Sequence, residues 1–134
     1  MQLLFQLDMN PAESSEAVFD DFWRGRDIDA HQQEFAESLV RGVREHLVEI
    51  DDAIRRALEH WDIGRIGAVE RNVIRLAVFE LRHRADIPPA VSINEAVDLA
   101  KYFSSSESGR FVNGILDRVR KEPPRTARPA SDDE

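Results

Sequence analysis

The residues best suited to chemistry are the four histidines, because two of them precede a glutamate by three positions, as His31-x-x-Glu34 and His46-x-x-Glu49. Imidazole and carboxylate groups at that spacing share one face of a helix, and both are ligands that Zn²⁺ accepts. Their order is the reverse of the Glu-x-x-His pattern of di-metal helical bundles, however. We therefore interpret both pairs as solvated helix surface and predict no metal site.

No other motif supports catalysis. The chain has no cysteine, which removes thiol catalysis, disulfides and thiolate metal ligands together. The sequence contains neither a glycine-rich phosphate loop nor a G-x-S-x-G elbow. We expect a protein without enzymatic activity and without a cofactor.

A serine cluster at residues 104–108 has two interpretations. The simpler one is a loop followed by a helix cap. The functional one is an anion site, because a helix N-terminus presents free amides and Lys101 and Arg110 flank this one. Single-stranded RNA would suit such a site, with Phe103 or Phe111 stacking on bases if either ring is exposed. We expect both rings to lie in the core.

Charge is unevenly distributed along the chain. The net charge is −8, from 18 basic and 26 acidic residues, which as a single number argues against nucleic acid. Residues 10–60 hold 13 acidic and 6 basic residues, giving −7, whereas residues 101–121 hold 5 basic and 2 acidic residues, giving +3. Any phosphate-binding surface is therefore expected in the C-terminal part.

Among the elements that must position these groups, residues 66–84 predict a long apolar helix at the centre of a bundle. Two carboxylates, Glu70 and Glu80, fall on or beside its apolar face. The pattern leaves two interpretations open. Either each carboxylate pairs with Arg71, Arg75 or Arg84 at a helix rim, or part of the face is open to a partner that Glu80 contacts.

The remaining helices follow from apolar periodicity and from capping residues. We predict helices over residues 2–8, from a serine cap at 14 or 15 to about 24, over 30–60 with a bend near 46–51, and over 107–121. Ser92 and Glu95 match a capping box that starts another helix. No stretch alternates as a strand does. The sequence predicts one all-α domain over residues 1–122, with six to seven helices, and a disordered polar tail over residues 123–134.

No apolar run approaches the length of a membrane span, and no stretch has the pattern of a signal peptide, so we expect neither. With 42% hydrophobic and 33% charged residues, the composition is typical of a globular protein. We expect a soluble, cytoplasmic protein that does not bind membranes.

Three segments carry a resemblance to a known family: IGRIGAVERNVIRLAVFEL, PPAVSINEAVDLAKYF and GRFVNGILDRV, in this order. Together with QLLFQLD and FAESLVRGVREHLVEID, they closely resemble NusB, the bacterial transcription antitermination factor. The resemblance implies an all-helical fold of two small bundles packed side by side, without enzymatic activity. It also implies binding to boxA, a single-stranded signal in ribosomal RNA leader transcripts, jointly with the small-subunit ribosomal protein NusE. That complex helps RNA polymerase pass terminators, and some members form homodimers.

The resemblance also assigns roles to residues. The NusE-facing positions fall on Phe5, where many relatives have tyrosine, and on Glu80. Glu70 is then left to an intramolecular ion pair. The RNA-binding positions fall on Lys101, Arg110, Asn113 and Asp117.

Relatives open with about a dozen further residues rich in arginine, which form the first half of the first helix. The present sequence begins inside that helix, so we expect either a start codon assigned too far downstream or a protein that lacks this arm. In the second case the alternative function is an interaction scaffold that has lost RNA binding. A third function, RNA methyltransferase, is disfavoured because the chain has no dinucleotide-type motif and no cysteine nucleophile.

Overall fold

A computed structural model describes residues 2–9, 14–59 and 63–122. Over these residues the chain forms seven α-helices and a short 3₁₀ turn at Ile63–Arg65, and it forms no strand. The helices are α1 (Gln2–Met9), α2 (Ser15–Trp23), α3 (Ala30–Glu45), α4 (Leu47–Leu58), α5 (Ala68–His83), α6 (Pro89–Phe103) and α7 (Ser106–Lys121). The predicted all-α class is confirmed. The predicted polar tail at residues 123–134 lies outside the described residues.

Helix α5 is the centre of the fold. It packs against five other helices, α1, α3, α4, α6 and α7. Its buried residues include Val73, Ile74, Ala77, Val78 and Phe79. The apolar surface read from residues 66–84 is therefore the spine of the core, as predicted. None of the described helices is long and apolar enough to cross a membrane.

The long helical stretch after residue 30 divides where the sequence predicts a bend. Helix α3 ends at Glu45 and α4 starts at Leu47, with His46 between them at φ −107° and ψ 21°. A run of thirty residues with one continuous apolar stripe would drift away from a compact core. With the break at His46, both α3 and α4 pack against α5.

Two helix starts are as predicted and one is different. Ser14 caps α2 by accepting from the Ala17 amide at 3.2 Å, and Ser105 caps α7 by accepting from the Ser108 amide at 3.1 Å. The capping box at Ser92 is wrong, because α6 already starts at Pro89 and Ser92 is buried in its first turn. Proline suits the first helical position, since its fixed φ is helical and its missing N–H is not needed there.

An ionic network fastens α1 to the spine. The Asp8 carboxylate accepts from Arg71, from Arg75 Nη1 at 3.2 Å and from Asn72 Nδ2 at 3.2 Å. Arg75 also donates through Nε to Asp51 of α4 at 2.8 Å. Burial alone would raise the pKa of the Asp8 carboxyl, but these donors outweigh it and hold the pKa below its usual range. The network joins three helices.

Candidate nucleic-acid and partner interface

Polar side chains follow one exposed face of α7. Arg110, Asn113 and Asp117 are all exposed and are spaced i, i+3 and i+7, so their side chains share a stripe along the helix. Asp117 is held in an ion pair with Lys121 Nζ at 3.1 Å. The structure thus places three of the four residues predicted to bind RNA on one surface.

Lys101 completes that surface from α6. A Cβ added at Gly109 would lie 2.7 Å from Lys101 Cγ, which shows that the lysine stem lies directly on the α7 backbone. Gly109 is buried, whereas Lys101 is exposed as a residue. The stem therefore packs on α7 while the charged end faces solvent, a common arrangement for long cationic side chains.

Three aromatic residues within two positions of these cations along the chain have exposed rings. Tyr102 is 81% exposed, and Phe103 and Phe111 are each 38% exposed. Tyr102 and Phe103 contact each other edge to face, with ring centroids 4.9 Å apart. The prediction that Phe103 and Phe111 belong to the core is wrong, because the apolar face of α7 is completed by Val112, Ile115 and neighbours instead.

The serine cluster is a loop and cap, as the simpler interpretation predicted. The Ser108 hydroxyl donates to Glu70 Oε2 and lies 2.8 Å from Ser104 Oγ. Burial would raise the pKa of the Glu70 carboxyl, but hydrogen bonds from the Ser108 hydroxyl, the Glu70 amide and Ser104 hold that pKa below its usual value. A carboxylate of the protein itself therefore faces the start of α7, which leaves this terminus a poor site for a phosphate.

The predicted ion pair of Glu70 with an arginine is wrong. Arg71 pairs with Asp8, and Arg84 pairs with Asp86 at 2.9 Å. Glu70 links α5 to α7 through a serine instead. A serine partner carries no signal in sequence spacing, because Ser108 is 38 residues away along the chain.

Glu80 is the other carboxylate on α5, and it is 7% exposed. Burial raises the pKa of its carboxyl above the usual range, and the nearby Glu95 carboxylate adds to that effect, whereas Ser92 and Arg84 oppose it. Glu80 lines a small groove between α5 and α6, together with Leu76 and Ser92. A buried carboxylate whose charge is poorly compensated is poised to accept a hydrogen bond or a cation from outside.

Phe5 lines a different groove. This one is mainly apolar and lies between α1, α2, α5 and α6, with Phe22, Val69 and Phe103 among its walls. The structure therefore does not bring Phe5 and Glu80 into one pocket. It does place Phe5 in the same groove as Phe103 at the end of α6.

Comparison with known proteins gives a consistent result. The model of the NusB family matches residues 1–121. The transcription antitermination protein NusB of Myxococcus xanthus is 47% identical over 125 residues, which covers 89% of this chain and 87% of that protein. A relative of the same name from Sorangium cellulosum is 43% identical, covering 89% and 84%.

Solved structures agree. The NusB of T. maritima superposes with a TM-score of 0.81 at 42% identity, covering 90% of this chain and 84% of that one. A crystal structure described as antitermination factors NusB and NusE in complex with dsRNA gives a TM-score of 0.80 at 32% identity, covering 89% and 88%.

Proposed function

The chain belongs to the NusB family, and on that premise we propose that it binds the boxA RNA of ribosomal RNA leader transcripts together with the ribosomal protein NusE. The family is one of transcription antitermination proteins without enzymatic activity. The proposed complex acts on RNA polymerase, in the cytoplasm. The related structure with NusE and RNA supports both partners.

The surface at the end of α6 and along α7 is the single observation that carries the RNA part of the proposal. Exposed cations at Lys101 and Arg110 supply the attraction to phosphate. The exposed ring of Tyr102 and the partly exposed rings of Phe103 and Phe111 offer faces on which unpaired bases stack. Cations interleaved with accessible rings are the arrangement that single-stranded nucleic acid needs.

Asn113 and Asp117 add hydrogen-bonding groups to the same surface. An amide can both donate to and accept from a base edge, whereas a carboxylate only accepts. The Asp117 carboxylate forms an exposed ion pair with Lys121 Nζ at 3.1 Å and stays accessible to solvent. We propose that these two side chains contribute base contacts and that Lys101 and Arg110 contribute phosphate contacts.

Fluorescence anisotropy with a labelled boxA oligonucleotide tests the RNA proposal. We expect the chain mixed with its cognate NusE to bind more tightly than either protein alone, and a scrambled oligonucleotide to bind more weakly. Lys101→Gln and Arg110→Gln should each lower the slope of log K against log salt by about 0.7, the value for one phosphate contact on a single strand. Arg55→Gln, an exposed cation on α4, is the charge-matched control.

The outcomes separate the two candidate functions. Equal affinity with and without NusE would contradict joint binding. NusE binding without any RNA binding would favour the interaction scaffold. An unchanged salt slope in both variants would remove Lys101 and Arg110 from the RNA surface.

We propose that Phe5 and Glu80 face NusE. Glu80→Lys reverses the charge in a buried groove and is expected to abolish NusE association, and Glu80→Gln, which keeps the shape, should weaken it. Glu34→Lys on α3 is the exposed control. Calorimetry measures the affinities, and circular dichroism verifies each fold. Unchanged NusE binding in both Glu80 variants would leave that residue with an internal role only.

Phe5→Tyr supplies the hydroxyl that many relatives carry. If Phe5 faces NusE, this change should tighten the association, because the added group can donate a hydrogen bond across the interface. A homodimer through the same surface is part of the proposal, and it should dissociate on addition of NusE, as light scattering would measure.

A further inference from the structure

Two histidines and a glutamate meet where three helices end or begin. His46 is the residue between α3 and α4, Glu49 is in the first turn of α4, and His83 is the last residue of α5. Glu49 Oε1 lies 2.9 Å from His83 Nε2 and 3.4 Å from His46 Nδ1. One ligand atom from each residue falls within 4.8 Å of the others.

From this geometry we propose that His46, Glu49 and His83 form a binding site for a divalent transition-metal ion such as Zn²⁺. Two imidazoles and one carboxylate are a ligand set that zinc accepts, with the fourth position open to water. Tetrahedral bonds of about 2.0–2.2 Å separate neighbouring ligand atoms by roughly 3.3 Å. The two measured separations from Glu49 Oε1 lie on either side of that value.

The surroundings of Glu49 give a second, independent reason. Its Oε2 atom is buried and has no hydrogen-bond partner among the described residues. Its only salt-bridge neighbours in that part of the chain are the two histidines, which carry charge only when protonated. A buried acceptor left without a donor calls for an explanation, and a bound cation is one.

Helix ends add to the attraction for a cation. His46 directly follows the C-terminus of α3, and His83 closes α5. The carbonyls at these two C-termini carry partial negative charge that favours a positive ion, whereas the N-terminus of α4, where His46 and Glu49 also lie, opposes it. The exposed Glu45 carboxylate adds further negative charge, since its Oε1 lies 3.8 Å from His46 Nε2.

Packing limits how far the ligands can move. The His46 and His83 rings are stacked, with centroids 4.0 Å apart and planes inclined by 19°. Both rings also stack on Phe79, at 6.0 and 5.4 Å. In this packed arrangement His46 Nδ1 and His83 Nε2 already lie 3.4 and 2.9 Å from Glu49 Oε1. A bound ion would then fasten the α3–α4 junction to the end of α5.

Titration of tag-free, chelator-treated protein with Zn²⁺ in a calorimeter tests the site. We expect one ion per chain and a rise in Tm with Zn²⁺, because the ion binds the folded state. Glu49→Gln, which keeps the side-chain shape, and His83→Asn should each weaken binding at least about tenfold, since even loss of an outer-shell partner costs that much. His31→Asn, an exposed histidine on α3, should bind Zn²⁺ as the wild type does.

The visible absorption of bound Co²⁺ distinguishes a metal ligand from a residue that only stabilises the fold. A low-symmetry site with nitrogen ligands gives Co²⁺ intense visible absorption, which the Glu49→Gln protein should lose while its circular dichroism is unchanged. The proposal is overturned if the wild type shows no binding or thermal shift, if Glu49→Gln binds as tightly as the wild type, or if His31→Asn loses as much affinity as the site variants.

Discussion

A single methyl group placed at two glycines should change stability in opposite directions. Gly42 lies in α3 and Gly114 lies in α7, and both are inside helices. A Cβ at Gly42 would lie 2.2 Å from Phe79 Cζ, whereas a Cβ at Gly114 would meet nothing within 4 Å. Helix propensity favours alanine over glycine at either site by about 0.8–1.0 kcal/mol. Only the tertiary contact distinguishes them.

The cost at Gly42 follows from the contact. Carbon atoms pack best at about 3.5–4.0 Å, so the Phe79 ring must move by about 1.3 Å or more. Phe79 is 6% exposed and stacks against His46 and His83, which leaves the ring little room. Overpacking of this kind costs about 1–3 kcal/mol, and three ring atoms under 3.0 Å place the cost in the upper part of that range. After the gain in propensity, Gly42→Ala should be destabilising by about 1–2 kcal/mol.

Urea denaturation followed by circular dichroism measures both variants. The midpoint should fall for Gly42→Ala and rise for Gly114→Ala, where the exposed methyl should stabilise by about 0.5–1 kcal/mol, with m unchanged in both. If Gly42→Ala proves as stabilising as Gly114→Ala, then α3 and α5 do not approach each other as closely as described. That result would refute the close contact between the α3 backbone and the Phe79 ring.

Three further outcomes are expected. Asp8→Asn should cost up to about 3 kcal/mol at pH 7, because it removes a partly buried partner of Arg75, while the exposed Asp21→Asn should cost about 1 kcal/mol or less. Because the folded pKa of the Asp8 carboxyl is lowered, the stability it contributes is present above the unfolded value of 3.8 and is lost as pH falls through the folded pKa. The Tm values of the wild type and of Asp8→Asn should therefore converge in melts at acid pH. The folded pKa of the Glu80 carboxyl is raised, so the stability it contributes is present below the unfolded value of 4.5 and is lost as pH rises through the folded pKa. Glu80→Gln should therefore raise Tm more at pH 7 than at pH 4. An equal change in Tm at the two pH values would contradict this reasoning. Tyr102→Ala should weaken boxA binding by about 1–3 kcal/mol in anisotropy titrations, without a change in salt slope, and unchanged affinity would exclude stacking there.

The helices and their order follow from local patterns in the amino-acid sequence. Apolar periodicity locates the spine at residues 66–84, and the break at His46 follows from the excess length of one helical stretch. The caps at Ser14 and Ser105 are predictable because capping depends on neighbours within three residues. Local charge alone also places Lys101 and Arg110 in the basic segment.

Contacts between distant residues depend on the tertiary fold. Periodicity shows which face of a helix is apolar but not what covers it, so it assigns Phe103 and Phe111 to the core although both rings are partly exposed. The partner of Glu70 is a serine on another helix, which no spacing rule could indicate.

The histidines show most clearly that sequence patterns do not predict contacts between distant residues. His46 and Glu49 alone predict only solvated surface, because two ligands close together in sequence are fewer than a metal site needs. The third group, His83, lies 34 residues further along the chain from Glu49, and the packing of α5 against α3 and α4 brings it within 2.9 Å. Spacing along a chain determines which groups share a helix, whereas the burial of apolar faces between helices determines which groups meet.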